Sequence, residues 1–197
     1  MWSCAAGAAA SLLGALGILE KVALGLRLAT AVGVPLLVCL RVTGALGGFW
    51  GTAAACVSGS VAALILDHLG THSAEESPSL SPGCWAATFL AAAGALGFGG
   101  SQQQAMAAGA GVVGIGILAV PWNRVRGGFV RSVPLATAAL VALLLAGISV
   151  SDVPRWSAFL LAAAPLAALV RPLWAAAAWL LATCGGAVYL AWESFAR

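Results

Sequence analysis

Long apolar runs, broken at a few polar points, set the pattern of this chain. The longest charge-free run extends from Ser77 to Asn123. An α-helix rises 1.5 Å per residue, so about 20 residues cross a hydrocarbon core roughly 30 Å thick. The run holds more than twice that number and must contain two helices. Its polar break is Gly99-Gly100-Ser101-Gln102-Gln103-Gln104, which predicts helices over 84–100 and 105–122 joined by a tight turn. Val42 to Leu66, Ser132 to Ser151 and Pro172 to Trp192 are further apolar stretches of spanning length. Three shorter ones complete the set. Residues 2–19 end at Glu20-Lys21, 22–40 carry Arg27 and Pro35, and 154–172 carry Pro165 between Arg155 and Arg171.

Runs of this kind exclude a transmembrane barrel, whose strands alternate apolar and polar residues with period two. The expected fold class is therefore all-α: a polytopic transmembrane helical bundle of eight spans, with six or seven as the alternative. Composition agrees. The chain is 62% hydrophobic and 8% charged, with mean hydropathy +1.03, against about 25% charge in a soluble domain. So few charges could not cover a domain surface in water.

One stretch has a soluble composition: 67–83, with Asp67, His68, His72, Glu75, Glu76 and two Ser-Pro steps. It reads as a polar flexible loop. It divides the chain into 1–66 (helices one to three) and 84–197 (helices four to eight), all one integral membrane domain. The N-terminal segment lacks the basic region of a signal peptide and is read as the first span.

Charge matters here for topology. Loop 123–131 carries Arg124, Arg126 and Arg131 and no acid, so the positive-inside rule puts it in the cytoplasm. Counting spans from it places six Lys/Arg inside and three, Arg41, Arg155 and Arg197, outside. Both termini then lie on the non-cytoplasmic side. Trp2, Trp85, Trp122, Trp156, Trp174 and Trp192 fall near proposed span ends, where indole rings favour the headgroup level. Trp50 and Trp179 fall away from the ends and are expected between helices or facing lipid.

The strongest candidate for function is the spacing of small residues. Gly44 with Gly48, and Gly47 with Gly51, form GxxxG steps, continued by Ala55, Gly59 and Ala63. Ala107 with Gly111, and Ala110 with Gly114, repeat the pattern further on. Small residues let helix backbones approach closely, the usual basis of association in lipid. These positions are expected to pack helices of this chain, or to form a face for self-association or a partner membrane protein. His68 and His72 would share one helix face, but they read as a polar helix end rather than a zinc site. The five cysteines, Cys4, Cys39, Cys56, Cys84 and Cys184, form no CxxC pair and read as small hydrophobes.

No GxSxG, HExxH or P-loop motif occurs, and no basic cluster with interleaved aromatics. An enzyme, a cofactor and a nucleic-acid partner are therefore not expected. The expected partner is the lipid bilayer, together with a second copy or another membrane protein. The expected role is a non-catalytic scaffold or accessory subunit. The alternative is a small permease or channel for an uncharged or weakly polar solute.

Overall fold

The computed structural model describes residue 33, 49–119, 128–151 and 153–197. Among these residues the chain is helical and contains no strand. Six helical segments follow one another: α1 (Phe49–Glu76), α2 (Ser81–Phe98), α3 (Gln102–Leu118), α4 (Gly128–Val150), α5 (Arg155–Leu169) and α6 (Leu173–Ala196). Among the described residues, three stretches are long and apolar enough to cross a membrane: Ala53–Glu76, Ser132–Ser149 and Leu173–Ala196. Of the expected eight spans, 2–19 and all of 22–40 but residue 33 lie outside the described residues.

α2 is the central helix, packed against all five others. α3 returns beside it in an antiparallel hairpin, Phe89 facing Gly111 and Gly97 facing Ala105. α6 runs parallel to α2, with Gly94 against Val188 and the rings of Phe98 and Phe195 6.4 Å apart. α4 also runs parallel to α2, with Gly147 closing on Leu96. α1 lies antiparallel to α4: Ala63 and Leu66 cluster with Val141, while Gly70 meets Val133.

The hairpin turn has a local cause. Gly100 adopts φ 83°, a backbone state that costs glycine little. Its N–H donates to the Gly97 carbonyl, and Ser101 N–H donates to the Leu96 carbonyl. This pairing satisfies the last carbonyls of α2 and stops the helix. The helix ends stand a few residues before the expected 84–100 and 105–122, because Pro82 opens α2 in its first turn and Gln102 already belongs to α3.

Three expectations are corrected. The stretch 67–83 is not a continuous loop: α1 runs on to Glu76, and only 77–80 separate it from α2. Composition hid an amphipathic period. Ala63, Leu66, Gly70, Ser73 and Ala74 are buried, while His68, His72, Glu75 and Glu76 are exposed. The elbow closes with Ser73 and Ser81 Oγ 3.4 Å apart, and Ser73 also donates to the Gly70 carbonyl. The second correction concerns Trp85, expected half-wet at a span end. It is 0% exposed, seated beneath Gly70.

The third correction concerns 154–172. It is α-helical only over Arg155–Ala163, then tightens into a 3₁₀ segment, Ala164–Leu169. Pro165 has no N–H to continue the α ladder. The Leu161 carbonyl, which Pro165 leaves unserved, accepts from the Ala164 N–H, and the Ala163 carbonyl accepts from Trp179 Nε1 at 3.0 Å, which ties α5 to α6. Ser157 Oγ adds a second tie, donating to the Ala187 carbonyl at 2.7 Å. α6 widens into a π segment over Leu181–Gly185, where Thr183 Oγ1 donates to the Trp179 carbonyl at 2.8 Å.

Candidate functional site

α3 carries two kinds of glycine. Gly111 is pressed against α2: a Cβ there would lie 2.5 Å from Phe89 Cδ1 and 2.8 Å from Cε1. Real Cβ atoms do not come so close, so the missing side chain is what admits the ring. Phe89 is buried and belongs to the main apolar cluster. Gly109, Gly114 and Gly116 differ: a Cβ at any of them meets no atom within 4 Å.

Helical spacing explains the division. Residues 106, 109, 110, 113, 116 and 117 recur at three and four, forming one stripe. Met106, Val113 and Ile117 on that stripe are 76%, 64% and 61% exposed. Ala107 and Ala110 are exposed as well, and Gly114 stands at the stripe's edge, half-buried. The outer side of α3 is thus a shallow strip of glycine and alanine between long apolar side chains.

The other candidate positions differ in burial. Gly59 is buried in α1, and Gly51 is half-buried near its start. Gly44 and Gly48 lie outside the described residues. In the basic loop, Arg124 and Arg126 also lie outside them, while the backbone of Arg131 belongs to the first turns of α4.

Two glycines that the four-residue spacing did not single out make tight contacts. A Cβ on Gly70 would lie 2.9 Å from Val133 Cγ1 and 3.0 Å from Trp85 Cζ2. One on Gly147 would lie 2.8 Å from Leu96 Cδ2. Each opposes a bulky residue on another helix, a pairing that within-helix spacing does not encode. Gln104, expected in a turn, instead accepts from Ser151 Oγ at 3.0 Å and links α3 to the end of α4.

His72 takes part in a surface pair. His72 Nε2 lies 3.5 Å from Glu76 Oε1, one turn along the same exposed face. Among the described residues no three His, Cys, Asp or Glu side chains gather closely enough to hold a metal. Asp67 lies within the candidate span Ala53–Glu76 and is half-buried, so one acid stands deeper in an apolar helix than the 42–66 boundary implied. No protein-family model, curated protein or solved structure matches the chain.

Proposed function

We propose that this chain is a multi-pass integral membrane protein of eight spans, acting as a non-catalytic scaffold or accessory subunit that assembles sideways through the outer side of α3. The observation that carries this reading is the open strip at Gly109, Gly114 and Gly116, bounded by exposed Met106, Val113 and Ile117. In lipid, burying Leu or Val yields little, because the acyl chains are equally apolar. Close backbone approach yields more, and glycines without opposing atoms permit it. The occupant is another lipid-embedded helix, from a second copy or from a partner.

α2 and α3, at 18 and 17 residues, are about 26 Å long. In this reading they cross a slightly thinned or locally matched bilayer, and loop 123–131 faces the cytoplasm. Purification in mild detergent, followed by cross-linking and mass analysis, tests the assembly. Gly114→Leu and Gly116→Leu should abolish the complex while leaving the monomer folded. A complex that survives both substitutions would refute the proposed face.

A further inference from the structure

Where α1, α2 and α4 meet, three polar atoms are enclosed without a protein partner: Thr71 Oγ1, Trp85 Nε1 and Thr137 Oγ1. Trp85 and Thr137 are fully buried, at 0% and 1% exposure. The contacts around Gly70 set them on adjoining turns of three packed helices. The Trp85 ring lies under Gly70, with Cζ2 3.0 Å and Cε2 3.7 Å from the Cβ position; Cε2 is bonded to Nε1. Thr71 is the next residue after Gly70. On α4, Val133 meets the same Gly70, and Thr137 stands one turn along on Val133's face. The antiparallel register, Leu66 with Val141 and Gly70 with Val133, sets Thr137 level with the turn just before Gly70.

This clustering contrasts with the other buried hydroxyls. Thr88, Ser132 and Thr183 each return a hydrogen bond to a carbonyl of their own helix. Thr71 and Thr137 do not, and an indole N–H has no local carbonyl to choose. A buried polar group without a partner is costly, and natural cores seldom leave one, let alone three together.

We propose that the α1–α2–α4 junction is an internal hydration site, in which a water molecule accepts from Trp85 Nε1–H and bridges Thr71 and Thr137. Three hydrogen bonds is the usual complement of a buried water. The donor set favours a neutral occupant over a cation, since the indole can only donate and would present its hydrogen to the ion. Asp67, one turn before Thr71, already has an interaction of its own and is not needed to hold the water. The site is independent of the assembly proposed for α3.

The sign of a stability change tests this. Thr137→Val and Thr71→Val keep the shape and remove a hydroxyl. If the groups are bridged, each variant strands the water and the indole, and the unfolding midpoint in detergent should fall by about 2–6 °C. If the junction is dry, each variant removes an orphan and the midpoint should rise or stay level, which overturns the proposal. A second measurement uses the wild-type protein alone. In lipid nanodiscs, the indole proton of Trp85, assigned through the contact of its ring with Gly70, should show cross-relaxation with a long-lived water, and its absence would overturn the site.

Discussion

Gly111 and Gly114 stand three residues apart on the same helix and meet opposite surroundings. The first touches the ring of Phe89; the second meets nothing within 4 Å. They are chemically identical and belong to the same spacing pattern. The difference shows that what a small residue does in an apolar helix depends on what lies opposite. At Gly111 the vacancy is filled from within the chain, and at Gly114 it is left open.

Breaking the filled side should have the largest effect. Phe89→Ala would empty the groove that Gly111 provides. Phe→Ala in water-soluble cores costs about 3–5 kcal/mol. In the proposed membrane setting the unfolded helices remain in lipid, so the transfer part shrinks and the packing part stays. We expect a loss of about 2–4 kcal/mol, read as a lower unfolding midpoint in detergent titration. A loss under about 1 kcal/mol would mean that the ring contributes little to the α2–α3 contact.

Gly111→Ala sharpens the same contact from the other side. Alanine gains about 1 kcal/mol of helix propensity over glycine. Against this, its methyl would overlap the Phe89 ring at 2.5 Å, and overpacking costs about 1–3 kcal/mol. We expect the overlap to win, with a net loss of up to about 2 kcal/mol. Combining Gly111→Ala with Phe89→Ala should cost less than the sum, because the second change makes room for the first. Strict additivity would show that the two residues do not oppose each other.

Much of this division was hidden in the primary structure. The hairpin was legible, because two glycines before a glutamine run interrupt an apolar stretch too long for one helix. The small-residue rows were legible too, since spacing is a property of one helix. Which glycine is filled was not, because that depends on where Phe89 of a neighbouring helix arrives. The continuation of α1 was missed for a different reason. The acids and histidines of 67–76 dominate its composition, while Gly70, Ser73 and Ala74 carry its buried side. Trp85 was misplaced because its position beside a span end suits an interfacial ring, and only the notch at Gly70 takes it inside.

Ser151→Ala probes how α3 is held to the rest of the bundle without touching either glycine face. Its hydroxyl donates to Gln104 Oε1 at 3.0 Å between partly buried groups. A hydrogen bond of this kind contributes about 0.5–1.5 kcal/mol in water and averages about 0.6 between membrane helices. We expect a loss of about half a kcal/mol. Gln104→Ala should cost the same, and the double variant no more than either alone.

The smallest effect on stability is expected on the open side, and it would be the most informative. Gly116→Ala places a methyl where no atom lies within 4 Å, so no overlap opposes the gain in propensity. The midpoint should stay level or rise slightly, by up to about 1 kcal/mol in equivalent stability, the reverse of Gly111→Ala five residues earlier on the inner side. Enlarging the same position to leucine should still leave the monomer folded, because the side chain projects away from the bundle. If Gly116→Leu instead unfolds the protein, the outer strip is packed in the native bundle and the contrast between the two sides of α3 fails. If the monomer is unmoved while the detergent-stable complex is lost, the open vacancies are where another helix sits.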